Sequence, residues 1–187
     1  MPLDPDMIDI MLENLLAVVV SRATRRRALA KDSCLFRQGD EVKSVFIVET
    51  GSIELTRFQE NGAPLILQRA GPGGVLAEAS VYSEIYHCDA LAAEACLIHE
   101  WERPAFLKLL ADSPRHSAFW AAYLAREVQS ARYRSEILTR RSVSERFDCW
   151  LTWQGGAMPP KGRWKSVAAQ IGVSPEALYR ELARRRR

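Results

Sequence analysis

Apolar positions keep two different rhythms along the chain. Residues 6–20 set Ile8, Met11, Leu12, Leu15 and Leu16 at helical spacing, with Asp4 or Asp6 to cap the helix and Pro5 at its entry. Arg25, Arg26 and Arg27 follow as a basic cluster expected on a solvated face. From Cys34 the period shortens to two. Residues 45–48 are β-branched and aromatic, residues 53–56 alternate, Asn61-Gly62 signals a hairpin turn, and residues 65–67 form the return strand. Gly71-Pro72-Gly73-Gly74 breaks the run, and residues 91–101 supply two more short strands. Short strands separated by glycine turns predict an antiparallel sandwich or barrel-like roll, whose interior is wide enough for side chains or one small ligand.

Beyond Pro104 the helical period returns. Residues 105–111 predict a short helix stopped by Asp112-Ser113-Pro114, and a long helix follows over residues 113–139. Within it Leu124, Val128, Ala131, Ser135 and Leu138 repeat at 4-3-4-3 spacing, a coiled-coil seam that predicts a homodimer. Val143–Trp153 is amphipathic through Val143, Phe147, Trp150 and Leu151, and residues 155–160 read as a loop. Two short helices close the pattern, residues 165–171 and Pro175–Arg184, separated by Gly172-Val173-Ser174. The fold class is therefore α+β. The expected division is a helix and β-roll over residues 1–112, a dimerisation helix over 113–139, and a helical domain over 140–187.

Charge sharpens that division. The 187 residues carry a net charge of +3. Residues 1–139 hold 15 Lys and Arg against 19 Asp and Glu, a net −4, whereas residues 140–187 hold 11 against 4, a net +7. A basic end on an acidic body predicts a polyanion partner. Four scattered cysteines, Cys34, Cys88, Cys96 and Cys149, fit reduced thiols better than a disulfide framework. Asp4, Asp6, Asp9 and Glu13 crowd the N-terminus where a secretion signal carries basic residues, so a cytoplasmic location is expected. No apolar run approaches the roughly 20 residues of a membrane helix, so no membrane partner is expected. The phosphate loop, the Gly-x-Ser-x-Gly elbow and the His-Glu-x-x-His zinc motif are all missing, and neither an enzyme nor a metal site is expected.

Residues 166–182 have the form of a helix-turn-helix. Ala168 or Ala169 is small where two helices approach, Gly172 allows a positive φ, and Val167, Ile171, Val173 and Leu178 fill the corner. Ser174 is a helix cap, Pro175 suits the first helical position, and Glu176 suits the first turn. The second helix then turns Glu176, Tyr179, Arg180 and Ala183 outward. In such a unit this helix enters the major groove of double-stranded DNA. Arg180 is matched to guanine and Glu176 to cytosine, with Ser174, Lys165 and Arg184 on phosphates.

Taken together, the chain resembles the cyclic-AMP receptor protein/Fnr (Crp/Fnr) superfamily of bacterial transcription regulators. Leu35-Phe-Arg-Gln-Gly-Asp40 and Val45-Phe-Ile-Val-Glu-Thr-Gly-Ser-Ile-Glu-Leu55 resemble its β-roll signature. Pro72-Gly-Gly-Val-Leu-Ala-Glu-Ala-Ser-Val-Tyr82 resembles its ligand cassette. The resemblance implies a cytoplasmic homodimer on a two-fold symmetric DNA site, with RNA polymerase as a further partner if it activates.

The departures bear on the effector. Nucleotide-binding members carry a cassette resembling Gly-Glu-Leu, then Arg-Ser-Ala about ten residues on. Here the matching residues are Ala77-Glu78-Ala79 and Cys88-Asp89-Ala90. Glu78 keeps the role of accepting from a ribose hydroxyl, whereas Cys88 replaces the phosphate-gripping arginine. Losing one charge-assisted bond costs on the order of 1.5–3 kcal/mol, and Asp89 is expected to add repulsion. Ala131 and Arg132 stand where those members carry hydroxyls facing the base. The expected pocket is Glu78, Tyr82, Cys88, Asp89 and Arg132, with its occupant unknown and ordinary cyclic AMP not expected.

An iron–sulfur cluster is not expected either, because Cys34 alone stands near the start of the roll. Haem stays open through His87-Cys88 or Cys96-Leu-Ile-His99, although adjacent side chains of an extended segment point to opposite faces. A redox-active Cys88, its thiol lowered by Arg132, is a further alternative. Family members usually follow the recognition helix with a β-hairpin wing, where this sequence has Arg184-Arg-Arg-Arg187. Those arginines are expected either to supply phosphate contacts or to act as a nonspecific anchor. The competing function is a dimeric ligand-, haem- or redox-sensing module with only nonspecific DNA affinity.

Overall fold

A computed structural model describes residues 25–186 apart from residues 59, 61 and 63. The helix expected over residues 6–20 and the turn residue Asn61 lie outside the described residues. Two compact units divide the chain within its long helix, the first ending at Arg126 and the second beginning at Glu127.

The first unit contains eight strands: β1 (Arg25–Leu29), β2 (Cys34–Phe36), β3 (Ser44–Thr50), β4 (Ile53–Phe58), β5 (Pro64–Ala70), β6 (Val75–Leu76), β7 (Asp89–Ala92) and β8 (Cys96–Glu102). They form two antiparallel four-stranded sheets, in the orders β1-β8-β3-β6 and β2-β7-β4-β5. Period-two alternation explains the packing. Phe46 and Val48 of β3 point between the sheets and join Phe36, Ile53, Leu55, Leu76, Ala90 and Ile98. Val45 and Ile47, on the opposite face, join Trp101 and the helical residues Phe106, Phe119 and Trp120. β3 is therefore buried on both faces, which is why its sequence reads as an unbroken apolar run. The interior is filled by side chains: Phe36 stacks on Tyr86 with centroids 3.9 Å apart, and the Tyr86 hydroxyl donates to the Ser44 carbonyl at 2.9 Å.

Arg25 and Arg26 are exposed, as expected of a solvated face, but the segment is also a strand, β1, that the sequence reading missed. The segment is an edge strand in register with β8, Arg26 opposite His99 and Arg27 opposite Ile98. Its charges are matched across the sheet, Arg26 pairing with Glu49 and Arg27 with Glu100 at 3.3 Å. Successive arginines hide the alternation that an edge strand needs on one face only.

Helices follow: α1 (Arg103–Ala111), α2 (Pro114–Thr139), α3 (Val143–Trp153), a 3-10 turn (Lys161–Arg163), α4 (Trp164–Gln170) and α5 (Pro175–Arg184). α1, with Pro104 in its first turn, packs Phe106, Leu109 and Leu110 on the roll. In the second unit Ile137, Phe147, Trp150, Val167, Ile171, Leu178 and Leu182 form the core. Ser142 and Glu145 make a reciprocal capping box at the start of α3. Among the described residues no helix is long and apolar enough to cross a membrane.

Candidate functional site

α4 ends in a Schellman turn. The Gly172 N–H donates to Ala169 O at 3.2 Å and the Val173 N–H to Ala168 O at 2.9 Å, with Gly172 at φ +64°. Ser174 Oγ then accepts from the Ala177 N–H at 3.2 Å and starts α5. Ala168, fully buried, lets α4 and α5 approach. Leu178 and Leu182 face the core, which leaves Glu176, Tyr179, Arg180 and Ala183 exposed along one side. Glu176 is held below the usual carboxylate range, first by its own backbone N–H and then by Ser174, with Arg180 and Lys165 adding favourable charge. Lys165 and Arg180 thus flank one acidic side chain at the start of the exposed helix. The Tyr179 ring lies 5.8 Å from that of Trp164, and the Arg186 guanidinium sits over the other ring at 5.2 Å.

Three arginines escaped the sequence reading as positioning residues. Arg146 donates from Nε to Arg140 O at 2.9 Å and from Nη1 to Ile171 O at 3.1 Å and Gly172 O at 3.0 Å. It therefore satisfies the carbonyls that the end of α4 leaves open. Glu181, which is buried, receives Arg184 Nε and Nη2 at 3.0 Å each and Arg185 Nε at 2.6 Å. These bonds, Arg184 first, hold its carboxyl down at about 2. Arg185 also binds Asp148 and the Ser144 carbonyl and covers the Phe147 ring at 5.0 Å. The terminal arginines are thus partly structural: Arg184 and Arg185 staple α5 to α3. An acidic residue in an otherwise apolar helix position, with arginines three and four places on, was the signal available.

Of the seam residues, Val128, Ala131, Ser135 and Leu138 are exposed. Leu124 is half-buried against the cluster formed by α1 and the outer face of the roll. A methyl of Leu138 stands close enough to Gly172 to meet a Cβ there at 2.7 Å, so this side chain leans on the turn.

The cassette follows β6. Ala77 takes φ +69°, the left-handed region that favours glycine, and the Ser80 N–H closes the turn on Ala77 O at 3.0 Å. Glu78 is buried at 6% exposure, whereas Tyr82 is 65% exposed. Tyr82 is thus a surface residue of the cassette. Cys88 points into the roll and is 1% exposed. Burial, then the Glu78 carboxylate, pushes its thiol up to about 11, so the redox-active reading is corrected: this thiol is protonated and shielded. Asp89 faces the other way and accepts from the Gln38 N–H at 2.7 Å, which corrects its place in the pocket. Arg132 belongs to the second unit, so the pocket residues that the roll itself brings together are Glu78 and Cys88.

The haem readings meet geometry of the same kind. His87 Nδ1 is hydrogen-bonded to Ser80 Oγ at 2.8 Å, and burial, followed by the charge of Arg57, lowers its imidazole. Cys96 is buried and donates to Ser52 O, whereas His99 on the opposite face of β8 meets Glu49 at 3.0 Å. Among the described residues no three His, Cys, Asp or Glu side chains converge as a metal site. The sequence reading missed Arg57, whose Nε donates to the His87 carbonyl at 2.9 Å.

Residues 26–113 match the cyclic nucleotide-binding domain family. The transcriptional activator protein FnrA of Stutzerimonas stutzeri is 27% identical over 129 residues, 68% of this chain and 52% of the relative. The chain thus spans about half the length of that protein. The cyclic AMP receptor protein of Thermus thermophilus is 27% identical over 162 residues, 84% of this chain and 75% of the relative. The structure of FixK2 from Bradyrhizobium japonicum superposes with a TM-score of 0.75 at 18% identity, covering 86% of this chain and 83% of that one. In its roll, long helix and capped helix-turn-helix, taken in this order, the chain is similar to these regulators, and its first unit matches a cyclic nucleotide-binding domain.

Proposed function

We propose that the chain is a homodimeric, sequence-specific DNA-binding transcription regulator controlled by a signal other than ordinary cyclic AMP binding. The observation that carries this reading is α5. A Schellman turn and a Ser174 cap fix its start, its apolar side is buried, and Glu176, Tyr179 and Arg180 line the exposed side. A helix so presented fits the major groove, with Arg180 on guanine and Glu176 on cytosine. Lys165, Ser174 and Arg184 take phosphates, Arg184 with the donor capacity that Glu181 leaves it. The exposed residues Val128, Ala131, Ser135 and Leu138 support dimerisation through α2. An activator of this kind also meets RNA polymerase.

Selection of binding sites from random duplex DNA at moderate salt tests the reading. Enrichment of an inverted repeat, with half-site centres about one helical turn apart, is the expected result. Unselective retention of every duplex would instead favour the sensing module with nonspecific DNA affinity. On the selected site Arg180→Ala is expected to cost about 1–3 kcal/mol and to relax the preference at one base position. Equal discrimination by mutant and parent would remove Arg180 from the base-reading role.

A further inference from the structure

On the DNA-binding reading, we propose that Trp164 positions a phosphate contact at the far end of α5: its ring holds Tyr179 and the Arg186 guanidinium, and Arg186 takes a backbone phosphate of the duplex.

Trp164 opens α4, and three parts of the chain meet on it. Its Nε1–H donates to the Pro159 carbonyl at 2.9 Å, which fixes the plane of the indole and ties down the loop before α4. The ring is half-buried and packs against the second core. The Tyr179 ring lies 5.8 Å from it at 50°, and the Arg186 guanidinium lies over it at 5.2 Å. Seven residues make about two helical turns, so Tyr179 and Arg186 stand on one side. α5 ends at Arg184, but the Arg185 N–H still donates to Glu181 O at 3.1 Å and the Arg186 N–H to Ala183 O at 3.4 Å. The helical course therefore holds as far as Arg186, and the exposed stripe of Glu176, Tyr179 and Ala183 continues into it.

The three arginines at this end are sorted by what they meet. Arg184 and Arg185 donate to the buried Glu181, and Arg185 also pairs with Asp148. Arg186 meets a ring instead, and among the described residues it pairs with no carboxylate. An aromatic face attracts a guanidinium through its quadrupole without neutralising the charge. Arg186 thus keeps its charge for an anion, while the ring restrains a long side chain that otherwise loses much rotamer freedom on binding. No acid of the neighbouring segment competes for it: residues 149–175 hold Lys161, Arg163 and Lys165, all exposed, but no Asp or Glu. Arg186 stands six residues beyond Arg180, about 9 Å further along the helical course. The N-terminal residues of a recognition helix face base edges, so a cation this far along meets the sugar–phosphate backbone.

Binding of the full chain to a labelled duplex is measured by fluorescence anisotropy over a range of salt. Arg186→Gln is expected to weaken binding and to lower the slope of log affinity against log salt by about 1, the share of one phosphate contact. Trp164→Phe keeps a ring for both neighbours and is expected to hold the parent's slope. Trp164→Leu is expected to lower the slope as Arg186→Gln does, and the double variant to fall no further than either single one. Thermal melting runs alongside, and Arg186→Gln, outside the core, is expected to melt as the parent does, so its lost slope is not lost folding. The proposal is overturned if Arg186→Gln keeps the parent's slope, or if the double variant loses about twice what each single one does. A parent that binds no duplex would overturn the DNA-binding reading and this contact with it. The duplex need not be the selected one, because a phosphate contact carries no sequence information, so a chain without sequence preference is tested equally.

Discussion

The roll and the helix-turn-helix carry their functional residues in different ways. In the roll, stability comes from strand faces: β3 alone feeds an inner and an outer apolar cluster. The cassette positions are carried by that layered packing, Ala77 and Cys88 as small members of the inner cluster and Asp89 outside it. In the second unit the exposed residues Glu176, Tyr179 and Arg180 share a ten-residue helix with the core residues Leu178 and Leu182. That helix is held by a small core and by directed polar contacts from Ser174, Glu181 and Arg185. The roll thus builds its cassette into the layers of its scaffold, whereas at the other end presentation and folding are one problem of a single helix.

The largest test of this contrast is Phe147→Ala. Phe147 is fully buried in the second core and stacks on Trp150 at 6.1 Å. Truncating a buried phenylalanine costs about 3–5 kcal/mol, a large fraction of what a unit this size has. Proteolysis and amide exchange should open residues 140–186 and abolish DNA binding while leaving the roll protected. Equal exposure of both units would show that they unfold together.

Acid should separate them next. Glu181 is held at about 2, chiefly by Arg184, against an ordinary value of 4.5. A carboxylate depressed on folding contributes stability that is fully present above its unfolded value and lost as pH falls through the folded one. Lowering pH from about 4.5 to about 2 should therefore loosen α5 from α3. The melting temperature of the second unit should fall over this window, and Glu181→Gln should flatten the dependence. A Glu181→Gln profile parallel to the parent would remove the staple from the account.

These polar contacts mark the limit of what the sequence made legible. An unbroken β-branched and aromatic run located β3, which is buried on both faces, and periodicity and turn signals located the β4–β5 hairpin, α2, α3 and α5. The capping and turn chemistry at Gly172 and Ser174 was equally plain, since few residue types suit those positions. β1 was hidden, because an edge strand of arginines is matched by acids on β3 and β8, Glu49 and Glu100, far away in sequence. Arg57, Arg146 and Arg185 were hidden for the same reason: each binds a backbone carbonyl 25 to 41 residues away. The cassette was half legible. Its chemical losses could be read position by position, but the facing of Asp89 needed the register of β7.

Backbone strain gives finer tests, one in each unit. Gly172→Ala forces an alanine to φ +64°, at a cost of about 1–2 kcal/mol for the left-handed region. The new Cβ also meets Leu138 Cδ2 at 2.7 Å and Arg146 Nη1 at 3.3 Å. The Leu138 methyl can rotate aside, but Arg146 is the clamp on the α4 carbonyls, so loss of stability should come with loss of DNA affinity. A variant that melts earlier but binds DNA as before would detach the turn from the presentation of α5.

The opposite replacement in the roll, Ala77→Gly, should have the smallest effect. Ala77 already takes φ +69°, so glycine relieves about 1–2 kcal/mol of left-handed strain. Against that stand about 0.5–1 kcal/mol for the greater freedom of unfolded glycine and about 0.8 kcal/mol for a buried methyl. That methyl counts in full, because Ala77 is 2% exposed within the inner cluster. The sum lies close to zero, and the melting temperature of the roll should move by no more than a few degrees. A drop equivalent to about 2 kcal/mol or more would mean that the methyl is wedged into the core. The cassette turn would then be held by its packing, like the turn at Gly172, and the two units would differ less than their layered and stapled cores imply.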